Sequence, residues 1–408
     1  MAPDVVAPAR PLWMLLGPAF VAAIAYVDPG NVAANVSAGA QFGFLLVWVI
    51  VVANVMACLV QYLSAKLGVV TGCSLPEAVG ARMGRPTRLA YWLQAELVAM
   101  ATDLAEVVGG AIALYLLFDL PLLVGGVITG AVSLILLVIR DRRGQNVFER
   151  VITGMLMVIA VGFFTSLFAA PPPLGQAAAG LVPRFDGPES ILLAAAMLGA
   201  TVMPHAVYLH SGLARDRHGH PPAGPVRAAL LRATRWDVGI AMLVAGAVNL
   251  SMLLVAATTL QGLDGTDSIE GAHDAVRSAL GPTVALLFAI GLLASGLASS
   301  SVGAYAGAMI MQGLLRRSVP LLARRLITLL PALAVLAAGV DPSRALILSQ
   351  VILSFGIPFA LIPLIRLTSD ATLMGADVNR RTTTVLGWVV AGLISLLNVV
   401  LIYLTLTN

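Results

Sequence analysis

Asp28-Pro29-Gly30-Asn31 interrupts an otherwise apolar run from Leu12 to Val36. A helix in hydrocarbon satisfies its backbone by bonding to itself. Proline removes one of those bonds and clashes with the carbonyl four residues earlier. A carboxylate at that depth is costly unless something pairs with it. Together these residues predict a discontinuous transmembrane helix whose freed backbone and carboxylate hold a cation.

A second run, Ile191–Leu213, repeats the anomaly at Thr201-Val202-Met203-Pro204-His205. Pro29 frees the carbonyl of Ala25, and Pro204 that of Ala200. Both lie near the C-terminal end of a half-helix, where the dipole favours a cation. Asp28, Asn31 and Met203 complete a set of one carboxylate, one amide oxygen, two carbonyls and one thioether. Oxygen ligands alone suit magnesium and calcium. The thioether favours softer transition metals, and a structural zinc site would use more thiolate or imidazole. The expected cargo is Mn2+ or Fe2+, bound reversibly. A lone methionine in a span is ordinarily core filler, and Met203 gains weight only from Pro204 and the matching break. His205 is either a satisfied core histidine or a proton carrier. His210 falls on another face, and the spacing is wrong for a zinc-protease helix.

Glu96, Asp103 and Glu106 form a third constellation in apolar sequence. Residues 103 and 106 share one helix face, and 96 lies two turns before 103. Intramembrane carboxylates in a stripe are candidate proton carriers. Arg324 and Arg325 are candidate counter-ions, and the alternative is a static salt bridge. Asp28 is itself linked to the proton, because metal binding favours its ionised form.

The elements that must position these residues follow from composition. The chain has 408 residues, 59% hydrophobic and 11% charged, against about 25% charged in soluble proteins. Long continuous apolar runs indicate a polytopic helical membrane protein rather than a β-barrel. The pI is near 9.4, but the basic residues lie in short loops, so no nucleic-acid partner is expected. Cys58 lies in an apolar run and Cys73 in a polar loop. They form no zinc or redox motif and are not expected to pair. The first apolar run reads as a span rather than a cleaved signal. Spans of about 20 apolar residues are expected at 12–40, 45–70, 88–118, 121–140, 148–170, 190–214, 236–262, 280–314, 320–340, 343–368 and 382–406.

With the N-terminus in the cytoplasm, all of the 24 lysines and arginines fall inside except Arg184, Arg277 and Arg344. That bias sets the orientation and requires an odd number of spans, leaving the C-terminus outside. The outer segment 263–279 (Asp264, Asp267, Glu270, Asp274) reads as a solvated acidic loop, with cation focusing as the alternative. The inner segment 215–235, with His218 and His220, reads as a flexible basic loop. Breaks in spans one and six predict two inverted repeats, 12–170 and 190–368, with 382–406 as an appendage.

These residues resemble the Nramp family of proton-coupled divalent-metal transporters. Asp28-Pro29-Gly30-Asn31 is similar to the family's span-one motif and Met203-Pro204-His205 to its span-six motif. Gln94 to Glu106 is similar to its third span and Ser349 to Gly356 to its tenth. One local difference is Ala206, where many members carry asparagine. The resemblance implies an all-α LeuT-like fold with eleven transmembrane helices and alternating access. It implies metal ligands at Asp28, Asn31, Met203, Ala25 and Ala200, with Gln350 added in some conformations. It implies proton-route roles for Asp28, His205, Glu96, Asp103, Glu106 and Arg325. No resident cofactor is implied. Mn2+, Fe2+, Cd2+, Co2+ and protons are cargo, in a bacterial cytoplasmic membrane.

Three other readings compete. A sodium-coupled carrier of organic solutes would aim half-helix N-termini at a substrate carboxylate, which Asp28 would repel. An intramembrane enzyme lacks any protease motif here. A passive channel would need neither paired breaks nor a carboxylate stripe. The order of metal preference, the proton stoichiometry and the oligomeric state, a monomer included, are open at this level. So is the small-residue stretch Ser295–Ser301, which is either a sliding surface or ordinary close packing.

Overall fold

The computed structural model describes residues 17–263, 265–266, 268–316 and 320–407. Arg10, Asp264, Asp267, Arg317 and the start of the first span at residues 12–16 lie outside the described residues. Among the described residues the regular structure is helical throughout.

The helices follow the order of the apolar runs: among the described residues nine spans are long and apolar enough to cross a membrane, and the broken first run and the shorter helix Leu321–Ala337 fill the other two expected places. The first run is broken into α1 (Pro18–Ile24) and α2 (Pro29–Phe42). Then come α3 (Val47–Thr71), the short α4 (Leu75–Gly80), α5 (Arg85–Phe118), α6 (Leu122–Arg143) and α7 (Gln145–Ala169). The short α8 (Leu174–Ala179) leads to the sixth span, broken into α9 (Gly187–Thr201) and α10 (Pro204–His218). After α11 (Pro225–Thr259) come α12 (Ile269–Leu280), α13 (Pro282–Leu315), α14 (Leu321–Ala337) and α15 (Pro342–Thr368). A short α16 (Ala371–Met374) precedes α17 (Arg381–Thr407). Many of these helices open on proline, whose missing N–H costs nothing in a first turn.

Two segments differ from the sequence expectation. Helix α11 begins at Pro225, well before residue 236, and α10 runs on to His218. The basic residues Arg227, Arg232 and Arg235 mark where the hydrocarbon ends, not where the helix ends. The outer acidic segment is no plain loop. Ser268 caps α12 by accepting from the Gly271 amide, and α12 buries Ile269, Ala272, His273 and Val276. Its charges occupy the opposite face, the ordinary pattern of an amphipathic helix.

Helices α5 and α13 form the centre of the bundle. They approach closely because small residues face each other: a Cβ added at Gly296 would stand 2.8 Å from the Gly110 backbone. Such small-residue contacts replace the hydrophobic driving force that lipid removes.

Candidate metal site and carboxylate network

The two breaks meet at the middle of the bundle. Asp28 caps α2: its Oδ1 accepts the Asn31 amide at 2.8 Å and Asn31 Nδ2 at 2.7 Å. The same Nδ2 donates to the carbonyl of Ala200 at 2.9 Å, joining the first break to the sixth. Both partners are acceptors, so the amide orientation is fixed by its bonds. Asn31 Oδ1 and Asp28 Oδ2 are therefore left over. Both are buried with no donor among the described residues, and so is Gln350 Oε1.

Gln350 reaches the site from α15. Its amide lies over Gly30, in space that any side chain at residue 30 would fill. Met203 is the N-cap of α10, fully buried in the same cluster as Ala25, Tyr26 and Val27. The carbonyl of Ala25 meets no donor among the described residues, whereas its neighbours are held. Asn249 Nδ2 donates to Tyr26 O at 2.7 Å, and Ser295 Oγ to Val27 O at 2.6 Å. The unwound segment is thus clamped immediately after an open carbonyl. Ala200 O, by contrast, is engaged by Asn31, and a cation would share or displace that bond. Among the described residues no three His, Cys, Asp or Glu side chains are grouped to hold a metal. What converges is a mixed set of neutral oxygens around one carboxylate, with the thioether residue in the same cluster.

The carboxylate stripe packs directly behind the site, where Gly109 of α5 abuts Pro29. Asp103 Oδ1 receives Arg325 at 2.6 Å, and Glu96 Oε1 receives Arg324 at 3.0 Å. Arg325 is fully buried and also donates to Ser133 Oγ at 2.9 Å and to Ser300 Oγ. Glu106 is buried, and neither of its oxygens has a donor among the described residues. Its carboxylate lies against Gly303, where a Cβ would stand 2.7 Å from Oε2. His205 approaches α5 at Thr102, Nδ1 to Oγ1 3.4 Å, and its Nε2 is unpartnered. The small residues of α13 are therefore a cradle: Gly303 admits Glu106, Gly307 admits the Arg324 guanidinium and Ser300 bonds Arg325.

Gln61, Asn249 and Asp237 were not singled out in the sequence, and His210 was set aside there. His210 Nδ1 lies 2.7 Å from Gln61 Oε1, and Gln61 donates to the Tyr26 hydroxyl at 2.5 Å. Gln61 and Asn249 are polar residues inside apolar spans, which was the available signal. Asp237 had none, because it sits at the expected edge of a span. It accepts the Gly17 and Ala19 amides, each at 3.0 Å, and so caps α1 from α11. Gly17, at φ 148°, also abuts the Glu149 carboxylate of α7. Helix α1 thus closes one end of the site. At the other end a cleft of about 700 Å³ opens between the ends of α2, α9, α11 and α15, lined in part by Gln41, Glu189 and Thr266.

Comparison with known proteins gives the family and the fold. A family model described as natural resistance-associated macrophage protein-like (Nramp) matches residues 19–404. A Mycobacterium tuberculosis protein named divalent metal cation transporter MntH is 72% identical over 396 residues, covering 97% of this chain and 92% of that protein. A Bacillus subtilis protein of the same name is 49% identical over 397 residues, covering 96% and 92%. The fold matches a solved Eremococcus coleocola manganese transporter with TM-score 0.86 and 31% identity, over 96% of this chain and 87% of that one. Mhp1, a nucleobase-cation-symport-1 family transporter, shares the fold alone, at TM-score 0.61 and 17% identity.

Proposed function

Because this chain belongs to the Nramp family, we propose that it imports divalent transition metals, Mn2+ and Fe2+ foremost, together with protons, by alternating access. The observation that carries this reading is the convergence of Asp28 Oδ2, Asn31 Oδ1 and Gln350 Oε1, three buried oxygens without donors, on the paired breaks. Buried polar atoms ordinarily have partners, and a cation supplies one to all three. Met203 and the carbonyls of Ala25 and Ala200 complete the ligand set. The relatives' name and the manganese transporter of the same fold support this class of cargo.

In this reading metal enters from the cleft beside Gln41 and Glu189. It binds Asp28, and the proton it displaces passes to the α5 stripe. Glu106, whose two oxygens have no donor among the described residues, is the first carrier on that stripe. His205, Asp103, Glu96 and Arg325 continue the route toward the end where α1 must release its Asp237 cap. The two repeats span 12–170 and 190–368, with 382–406 outside them. The basic loops support a cytoplasmic N-terminus and an external C-terminus, and the bacterial relatives support placing the chain in a bacterial inner membrane.

Manganese uptake into proteoliposomes containing a pH-sensitive dye tests the reading. Saturable uptake with internal acidification, resistant to excess calcium and lost in Asp28→Ala, is expected. Unaltered uptake in Asp28→Ala would mean that the metal binds elsewhere.

A further inference from the structure

Helix α15 contains two prolines beyond Gln350, Pro358 and Pro363. A proline cannot donate to the carbonyl four residues before it. Pro358 therefore orphans Ser354 O, and Pro363 orphans Phe359 O. Inside a membrane such groups must be satisfied by a neighbouring element. Both are, residue for residue. Asn398 Nδ2 donates to Ser354 O at 2.7 Å, and the Tyr208 hydroxyl donates to Phe359 O at 3.3 Å.

Tyr208 belongs to α10, but Asn398 belongs to α17, the span outside both repeats. Most of α17 faces away from the protein: Leu393, Leu396 and Val399 are more than half exposed. Val390, Ala391, Ile394 and Asn398 form its buried stripe, at helical spacing. Asn398 Oδ1 has no donor among the described residues. An apolar side chain would fill this position without that cost, so the feature that justifies asparagine is its N–H.

The bond lies close to the candidate site. Ser354 is one turn past Gln350, and this turn presses on α9. A Cβ at Gly199 would stand 2.8 Å from Gln350 O and 3.0 Å from Ser354 Cβ. Ala200, whose carbonyl is a candidate ligand, is the next residue. The turn between Gln350 and Pro358 thus bears on where Gln350 and the end of α9 stand relative to Gly30 and Asn31.

We propose that Asn398 is a positioning residue for the metal site: by holding Ser354 O, α17 fixes the bend of α15 and the placement of Gln350. This rests on the reading above that Gln350 contacts the metal. The eleventh span is then a working part of the site rather than an appendage.

The test is manganese uptake kinetics in proteoliposomes for Asn398→Leu, Pro358→Ala, their combination and Gln350→Ala. Asn398→Leu keeps the volume and removes the donor. It is expected to raise KM for manganese about tenfold while kcat per folded protein changes less than threefold, as for lost binding in the ground state. Pro358→Ala restores an N–H to Ser354 O, so adding Asn398→Leu to it is expected to change KM less than twofold. That comparison also serves if Asn398→Leu alone does not fold. Unchanged KM in Asn398→Leu, with KM raised in Gln350→Ala, would overturn the positioning role and leave the metal site standing. An equal KM shift with and without Pro358 would overturn it too, because Asn398 would then act by some route other than the orphaned carbonyl. Unchanged KM in Gln350→Ala would instead refute the contact between Gln350 and metal.

Discussion

Asp103→Asn separates the energetics of the buried network from its function. Arg325 is fully buried, and its guanidinium meets Asp103 at 2.6 Å, Ser133 at 2.9 Å and Ser300. With the carboxylate charge gone, the cation keeps only neutral partners. Removing one member of a buried pair costs about 3–5 kcal/mol, which the two serines offset in part. Asp103→Asn is therefore expected to lower the unfolding temperature sharply in detergent. Asp103→Asn combined with Arg325→Gln leaves no uncompensated charge and is expected to recover more than about half of that loss. Proton influx per manganese ion should stay lost in both variants, because neither restores a titrating group. Scanning fluorimetry reads the first quantity and dye-loaded proteoliposomes the second. If the double variant is as unstable as the single one, the charge on Arg325 is not the source of the cost. If either variant moves protons as the wild type does, Asp103 is a static ion pair and the proposed route is wrong.

Other substitutions probe single features. Met203→Ala removes the soft ligand, so calcium should compete with manganese at least about tenfold better, equivalent to about 1.4 kcal/mol of discrimination; competition uptake measures the ratio. Gly303→Ala places a Cβ 2.7 Å from Glu106 Oε2 and should destabilise by about 1–3 kcal/mol through overpacking. Gly291→Ala on the same helix meets nothing closer than 3.3 Å and serves as the comparison in thermal unfolding. Glu77, in the short α4 outside the spans, is pushed up by burial, but the Ser74 amide and Arg215 outweigh this and hold it below the usual glutamate value. A depressed value stabilises the fold above the unfolded-state pKa and ceases to do so as pH falls through the folded one. Glu77→Gln should thus be less stable than wild type at pH 7, with the difference closing in acid; a pH series of unfolding temperatures checks it.

How much was legible from sequence depended on what hydrocarbon forbids. Asp28, Pro29, Met203 and Pro204 break rules that a lipid-embedded helix cannot break without reason, so they pointed to their own meeting place. The eleven spans were legible for the same reason. Helix ends outside the lipid were not: Arg227 to Arg235 read as loop although α11 begins at Pro225, because charge reports solvent and not backbone conformation. Helix α12 was hidden by its acidic face. The partners of the network were legible only as types. Nothing in the spacing says that Arg325 takes Asp103 and leaves Glu106 bare, since that follows from Gly303, Gly307 and Ser300 on a third helix. The capping of α1 by Asp237 joins residues more than two hundred positions apart and left no local mark.

The prolines show how one physical defect serves two ends. Each leaves a carbonyl without its helical donor, and the surroundings decide what that carbonyl becomes. Ser354 O and Phe359 O are closed by Asn398 and Tyr208, and there the defect becomes a contact between helices. Ala25 O is left open, and Ala200 O is held only by Asn31, itself a candidate ligand. Openness alone does not make a site. Pro331 in α14 frees the carbonyl of Ile327, which also meets no side-chain donor among the described residues. Ile327 is exposed on the outside of the bundle. What distinguishes the breaks at Ala25 and Ala200 is that Asn31 joins them beside the buried Asp28 carboxylate, with buried oxygens of Asn31 and Gln350 that lack donors among the described residues. One proline costs a hydrogen bond; the breaks at Pro29 and Pro204 are joined by Asn31 beside a buried carboxylate whose second oxygen has no donor among the described residues.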